Sequence, residues 1–248
     1  TTGSGLAAVG YGLASAGCWG AGDVAGGLAT RKGSVYPVTL FSQLLGAAIL
    51  LALALLLGEA MPSRAEIVYA LLAGVFGGMG VIGLYTGLAQ GQMGVVSPVV
   101  GVVNAGLPAV IGISLEGLPS PSRLVGFGFA LVGVWFISRG DARGPIRPRQ
   151  LALPVAAGAS LGLFFVFLAR SSVTATIWPM VWARVASMSL ICLFAIAGRQ
   201  PLVPARAQVR GLALAGLLDA AGNTLFVLAA QSGRLDILQH RRHAGEPR

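Results

Sequence analysis

Three charged side chains lie well inside long apolar stretches of this sequence, and they are the groups there best able to do chemistry. Arg184 and Asp219 each fall near the middle of a stretch, and Asp23 falls in the later half of another. An ionisable group in an apolar environment is costly, so it usually faces a protein interior and has a partner or a function. The three positions are therefore the first candidates for a binding site.

Arg184 and Asp219 are predicted to form an ion pair if their stretches are antiparallel neighbours, because both would then lie at a similar depth. One interpretation is that the pair only specifies how the helices pack. The other is that Arg184 binds an anionic group of a solute and that Asp219 is its partner once the solute leaves. The sequence is compatible with both interpretations.

Asp23 lies four residues after Trp19, so the two side chains share one helix face. A carboxylate there is suited to binding a cationic solute or to cycling a proton, since removal from water disfavours its charged form. Alternatively, Asp23 is close enough to the end of its stretch to reach lipid headgroups, and Trp19 only packs. Both interpretations remain open.

Two asparagines extend this set. Asn223 follows Asp219 by about one helical turn and shares its face, and Asn104 lies inside another stretch. Each either lines a cavity or makes hydrogen bonds between helices. The candidate substrate-binding residues are Trp19, Asp23, Asn104, Arg184, Asp219 and Asn223. Aromatic side chains suited to a cavity wall are Trp178, Trp182 and Tyr85, although Trp178 is also placed to anchor the membrane interface.

The elements that must position these residues are predicted to be membrane-spanning helices. Apolar residues make up 55% and charged residues 10% of the 248 residues, whereas about a quarter of a soluble domain is charged. A helix crosses a bilayer core of ~30 Å with about 20 apolar residues and satisfies its own backbone groups. Eight spans are predicted, at 6–28, 36–58, 66–90, 95–115, 122–139, 151–170, 175–197 and 209–231.

The later spans repeat the earlier ones. Pro37 and Pro179 enter equivalent spans, and an Ala-Gln pair closes spans three and eight alike. Five spans precede the joint, and an odd number forces the two copies into opposite orientations. The predicted units are a first repeat at 1–139, a joint at 140–150, an incomplete second repeat of three spans at 151–237 and a polar tail at 238–248. The predicted fold is thus an all-α membrane protein, an inverted-repeat helical bundle with about eight of an expected ten transmembrane helices.

Small residues and prolines inside the spans predict how the helices meet. Glycines four residues apart leave a flat stripe on a helix and let two backbones approach closely. They are Gly22/Gly26, Gly74/Gly78, Gly83/Gly87/Gly91 and Gly158/Gly162. Proline removes a helical hydrogen bond, so kinks are predicted at Pro98, Pro108 and Pro179.

The formal charge of +9 comes from basic residues that lie mostly in the loops. Such residues set orientation and touch anionic headgroups, so nucleic acid is not a predicted partner. Both histidines, His240 and His243, are in the tail, and no HExxH, Walker or CxxC motif occurs. Cys18 and Cys192 are predicted to be packing residues. We expect no enzyme activity, no metal site and no cofactor.

Several segments resemble the ten-helix EamA-type branch of the drug/metabolite transporter superfamily over about residues 6–236. The matching residues are Ser97-Pro98-Val99-Val100, Leu115–Ser120, Gly126, Gly133-Val134, Trp182-Ala183-Arg184 and Gly216–Asn223. In the second of these segments Glu116 precedes Gly117, the reverse of the family order. The resemblance implies a bundle of two five-helix repeats with a central cavity, which moves small metabolites or amphipathic compounds by alternating access.

The resemblance also implies cytoplasmic termini, whereas the Lys/Arg count favours an outside N-terminus, so orientation stays open. We predict a multi-pass transporter in the cell (inner) membrane whose partners are a small-molecule solute and the lipid bilayer. Association with a second copy is left open, because the second repeat lacks two helices. The alternatives are a truncated, non-transporting remnant and a membrane-embedded enzyme acting on lipid-linked substrates.

Overall fold

The computed structural model describes residues 3–90, 93–117, 124–126, 128–129, 132–133, 136 and 148–243. The helices are α1 (Gly3–Thr30), α2 (Val35–Leu56), α3 (Arg64–Ala89), α4 (Met93–Glu116), α5 (Pro148–Ser171), α6 (Ile177–Ala197) and α7 (Val209–His243), with a 3-10 helix (Arg206–Gln208) before α7. No strand occurs in these ranges. The all-α prediction is confirmed.

Five of the helices, α2 to α6, are long and apolar enough to cross a membrane. The first and last predicted spans are helical, as α1 and α7, but are not among these five. The predicted span 122–139 lies largely outside the described residues, and the few described positions in it are helical. The last helix continues through His243, so the predicted tail is helical up to that residue.

Large apolar side chains cover the outside of the bundle. Leu13, Leu56 and Ile196 are 71%, 83% and 67% exposed, respectively. Such a surface is the one expected where hydrocarbon surrounds the helices, whereas a soluble monomer rarely carries contiguous apolar patches.

Helices of the first half pack against helices of the second half. Helix α1 lies along α7, α2 lies along α6 and α7, α3 lies along α5 and α6, and α4 lies along α5. Buried side chains such as Leu50, Ala73 and Leu168 pack together across the seam between the halves. The core of the bundle is therefore this seam.

Glycines allow the close approach at the seam that their spacing predicted. A β-carbon on Gly158 would lie 2.8 Å from Cβ of Val103 and 2.9 Å from the carbonyl oxygen of Val100 on α4. A β-carbon on Gly74 would collide with the carbonyl of Ala183 on α6. The other predicted glycines that come within 3.4 Å of a neighbour in this way are Gly22, Gly26, Gly78, Gly83, Gly87 and Gly162. Gly91 lies outside the described residues.

The prolines predicted to kink helices lie inside α4 and in the first turn of α6. Helix α4 is continuous through Pro98 and Pro108. Pro179 lies in the first turn of α6, which begins at Ile177. The N–H groups of a first turn have no partner within the helix, so proline is tolerated there without a kink.

Glu59 in the loop before α3 and Glu66 in the first turn of α3 both hold the segment that leads into α6. The Glu59 carboxylate accepts hydrogen bonds from the backbone N–H groups of residues 176–178 at 2.7–2.9 Å. The Glu66 carboxylate accepts from the backbone N–H and the hydroxyl of Thr174 at 2.8 and 2.9 Å. Carboxylates suit the free N–H groups and the positive end of a helix dipole. We call Glu59, Glu66 and residues 174–178 the carboxylate clamp.

Two glutamines make the corresponding connection between the loop before α7 and the loop before α2. Nε2 of Gln208 donates to the carbonyl oxygens of Ser34 and Ala29, at 2.9 and 3.3 Å. The Ser34 hydroxyl donates to Oε1 of Gln200 at 3.3 Å. We call Gln200, Gln208 and Ser34 the amide clamp. Both clamps hold the ends of helices that line the site described below.

The glycine contacts generate a stability prediction. We expect Gly158→Ala to lower the free energy of unfolding by about 1–3 kcal/mol, because the added methyl group overpacks the α4–α5 contact. Thermal unfolding in detergent measures the effect. The matched control is Gly20→Ala, since Gly20 has nothing within 4 Å of its β-carbon position. Equal midpoints for the two variants would contradict the close-approach explanation.

Candidate functional site

A cavity of about 200 Å³ lies at the seam between the two halves of the bundle. Helices α1 to α4 line it from the first half, and α5, α6 and α7 line it from the second. All six residues predicted from the sequence border it, namely Trp19, Asp23, Asn104, Arg184, Asp219 and Asn223. The fold thus brings together side chains that are up to about two hundred positions apart along the chain.

The ion pair predicted from the sequence is present in the cavity wall. Nη2 of Arg184 on α6 lies 2.7 Å from Oδ2 of Asp219 on α7. The two side chains are 16% and 25% exposed, so water has limited access to the pair. At such a site a charge-assisted hydrogen bond is short and roughly twice as strong as one between neutral groups.

Asp219 is also held from its own helix. Nδ2 of Asn223 donates to Oδ2 of Asp219 at 3.1 Å and to the Asp219 backbone carbonyl at 2.7 Å. On the other side, a β-carbon on Gly46 of α2 would lie 2.9 Å from Oδ2 of Asp219. The carboxylate is therefore positioned by three helices at once. The shared face predicted for the two residues is confirmed.

Asp23 and Trp19 enter the cavity from α1. The Ser15 hydroxyl donates to the Gly222 carbonyl of α7 at 2.7 Å and fixes α1 against that helix. The indole of Trp19 occupies the space that a side chain at Gly222 would fill. Within the described part of the chain, the Asp23 carboxylate makes no hydrogen bond and no ion pair, although it lies within electrostatic range of Asp219. Asp23 borders the cavity, so it does not end at the headgroups as the alternative interpretation held.

Apart from Trp19, the aromatic wall consists of residues other than the predicted ones. Trp19 packs against Phe165, with ring centroids 6.4 Å apart, and Phe165 against Phe164, with centroids 5.0 Å apart. The predicted Trp178, Trp182 and Tyr85 do not border the cavity. Trp178 instead donates its indole N–H to the carbonyl of Glu59, and Tyr85 is buried beside Gly26. The prediction was wrong because it required knowing the rotation of each helix.

The sequence did not predict two polar residues of the cavity wall, Gln43 and Ser187. Gln43 on α2 is only 4% exposed, and its Nε2 donates to the Ser187 hydroxyl of α6 at 3.1 Å. Oε1 of Gln43 and Oδ1 of Asn104 are buried and have no hydrogen-bond partner among the described residues. A signal did exist for Gln43, because it is a long polar side chain inside an otherwise apolar span. Buried polar groups are normally paired, so these two acceptors in the cavity wall are available to a bound molecule.

Metal chemistry finds no support in this region. The described residues contain no group of three or more His, Cys, Asp or Glu side chains able to hold a metal ion. Cys18 and Cys192 are free and half-buried. The charged, polar and aromatic side chains that border the cavity are suited to binding a small molecule.

The ion pair predicts different losses of stability for a single and a double variant. Arg184→Ala should lower the free energy of unfolding by about 3 kcal/mol, because it leaves the Asp219 carboxylate unpaired in a poorly hydrated site. The double variant Arg184→Gln with Asp219→Asn should lose less, since it leaves no unpaired charge. Thermal unfolding of the purified variants compares them. Equal losses would show that the charge balance of the pair is unimportant.

Comparison with known proteins adds the family. The profile of the EamA-like transporter family matches residues 6–139, which is more than half of the chain. Searches of curated proteins and of solved structures gave no match. The matched segment includes nearly all of α1, all of α2 to α4, and three of the six predicted cavity residues, Trp19, Asp23 and Asn104. Together with the five apolar helices, the match makes this chain an integral, multi-pass membrane protein of transporter type, and the chain belongs to the EamA-like transporter family.

Proposed function

We propose that this protein carries a small organic metabolite or amphipathic solute across the cell (inner) membrane by alternating access. The observation that supports this most directly is the cavity, whose wall combines aromatic rings with a few polar side chains. Small-molecule sites typically have this composition, because apolar surface supplies affinity and a few polar groups orient the ligand. The proposed solute contacts are Trp19, Asp23, Asn104, Arg184, Asp219 and Asn223.

Contacts across the seam support an inverted repeat. Gly78 on α3 packs against Ser187 on α6, and Asp219 on α7 packs against Gly46 on α2. Asp219 follows Gly78 by 141 positions, and Ser187 follows Gly46 by the same 141. Exchanging the halves therefore maps one contact onto the other, as a two-fold axis between repeats requires. The proposed repeats are 1–139 and 151–237, joined by 140–150 and followed by the polar segment 238–248.

The residues of the two clamps are also separated by about the same number of positions along the chain. Gln200 follows Glu59 by 141 positions, and Thr176 follows Ser34 by 142. Each clamp therefore ties the second loop of one repeat to the first loop of the other. In oppositely oriented repeats these clamps lie at opposite faces of the membrane. Alternating access needs one closure at each face, and the clamps are in the positions for them.

The hydrogen bonds of the two clamps differ in strength, so the two faces of the proposed carrier are not closed equally firmly. Bonds from backbone N–H groups to the Glu59 and Glu66 carboxylates are charge-assisted, whereas those of Gln200 and Gln208 are between neutral groups. The face with the carboxylate clamp is therefore the more firmly closed one. A solute gradient or a coupled ion must supply the free energy that opens it.

The other proposed properties follow from a carrier function. The partners are a small-molecule solute and the lipid bilayer, and nucleic acid is not among them. The protein performs no covalent chemistry and needs no cofactor. Its substrate is released unchanged on the other side of the membrane.

Flux through reconstituted protein tests the proposal. Vesicles containing the purified protein are loaded with a metabolite extract, and the external solution is sampled by mass spectrometry. We expect at least one small solute to leave faster than from protein-free vesicles. The matched control is the double variant Arg184→Gln with Asp219→Asn, which leaves the net charge of the cavity unchanged but alters its polar wall. Efflux that never exceeds that of empty vesicles would show that this chain is not a carrier.

Hydrogen exchange tests the carboxylate clamp. Glu59→Gln should speed exchange of the amide hydrogens of residues 176–178 by about five- to tenfold, because a neutral acceptor replaces a charged one. The matched change at the other clamp, Gln200→Glu, should leave these amides unchanged. An effect of Gln200→Glu as large as that of Glu59→Gln would mean that the clamps do not act as separate closures.

A further inference from the structure

We infer that the solute is an organic monocation with a compact apolar body, and that Asp23 holds its positive charge. The inference rests on the proposed function and deepens it by naming the substrate class. It is carried by the charge balance of the cavity, the aromatic surface beside Asp23, the open acceptors in the wall and the size of the space.

The charge balance leaves one acidic side chain without a partner. The ionisable side chains of Asp23, Arg184 and Asp219 border the cavity. The guanidinium of Arg184 is committed to Asp219 at 2.7 Å, so these two charges cancel. Asp23 then remains as an acidic group without an ion-pair partner in the described part of the chain. A ligand with one positive charge stabilises the ionised form of Asp23 and leaves the occupied site neutral.

An anionic solute fits this arrangement poorly. It would have to draw Arg184 away from Asp219, whose Oδ2 is also bonded to Asn223 at 3.1 Å. It would then face the carboxylates of Asp219 and Asp23 across a cavity with little water. Like charges that share one small, poorly hydrated cavity repel each other strongly. The interpretation of Arg184 as an anion-binding residue is therefore the weaker one.

Aromatic surface lies next to the unpaired carboxylate. Trp19 is one helical turn before Asp23 on α1 and borders the same cavity. Phe165 and Phe226 pack against its indole, with ring centroids 6.4 and 5.7 Å away. A cation beside the face of an indole gains cation–π attraction, which is larger where water is excluded. The wall thus offers a cation a carboxylate and a ring from one helix.

The open hydrogen-bond groups of the wall have the matching polarity. Oε1 of Gln43 and Oδ1 of Asn104 are both acceptors without a partner, and Gln43 is only 4% exposed. An ammonium group presents up to three N–H donors and no acceptor. These acceptors belong to α2 and α4, whereas Asp23 belongs to α1, so they are an observation separate from the charge balance.

The volume limits the size of the solute. An apolar cavity of ~150 Å³ accepts a benzene molecule, and pockets for drug-sized ligands occupy ~300–1,000 Å³. The space here is about 200 Å³. A single ring or short aliphatic body that carries one amino group fills it.

Three probes that share a ring and differ in charge test the inference. They are benzylammonium, benzyl alcohol and benzoate, and their binding to the purified full chain in detergent is measured by isothermal titration calorimetry. We expect benzylammonium to bind at least tenfold more tightly than benzyl alcohol, and benzoate to bind more weakly than both. Asp23→Asn should weaken benzylammonium at least tenfold and leave benzyl alcohol unchanged, which also shows that this variant is folded.

The outcomes separate this inference from the carrier proposal. Binding of benzoate as tight as that of benzylammonium, or benzylammonium binding unchanged in Asp23→Asn, would overturn the cation assignment. So would the absence of binding by all three probes, even where the vesicle assay finds a transported solute. Conversely, Asp23-dependent benzylammonium binding without any solute flux supports the ligand class and refutes the carrier proposal. A Trp19→Ala variant that loses benzyl alcohol as well as benzylammonium would further place both probes in this cavity.

Discussion

Hydrocarbon offers no hydrogen-bond partner, so every polar group inside a membrane-spanning bundle must find one within the protein. This constraint organises the centre of the molecule. Arg184 on α6 and Asn223 on α7 both donate hydrogen bonds to the carboxylate of Asp219. The Ser15 hydroxyl donates to the carbonyl of Gly222. Two acceptors without a partner among the described residues, Oε1 of Gln43 and Oδ1 of Asn104, belong to residues that border the cavity, where a ligand or water can reach them.

Small residues make these polar contacts geometrically feasible. Gly46 leaves room for the Asp219 carboxylate, and Gly222 leaves room for the indole of Trp19. Membrane helices gain little from apolar burial against each other, because lipid is as apolar as a side chain, so they associate through close packing and polar contacts. The same glycines therefore bring the helices together and leave the hollow between them. Stability of the bundle and shape of the cavity have a common origin.

The clamps connect this centre to the ends of the helices. In each half a polar side chain of the second loop holds the first loop of the other half, with carboxylates in one clamp and amides in the other. In the proposed inverted repeat, the two clamps are equivalent closures, with Glu59 in one where Gln200 stands in the other. Closures of unequal strength would give the two access states of the proposed carrier different populations.

The sequence by itself determined the all-helical fold, because span length and apolar composition are local properties. It also determined the six candidate residues that border the cavity, since a polar group is costly in an apolar helix wherever that helix lies. Only the tertiary structure decided that Asp23 is unpaired and that Gln43, Phe164 and Phe165 face the cavity, whereas Trp178, Trp182 and Tyr85 do not. The physical reason is that each of these helices carries apolar residues on all of its faces, because the lipid and the protein interior that these faces contact are equally apolar. No face is marked in the sequence, so the rotation of each helix is set by its glycine contacts and interhelical hydrogen bonds.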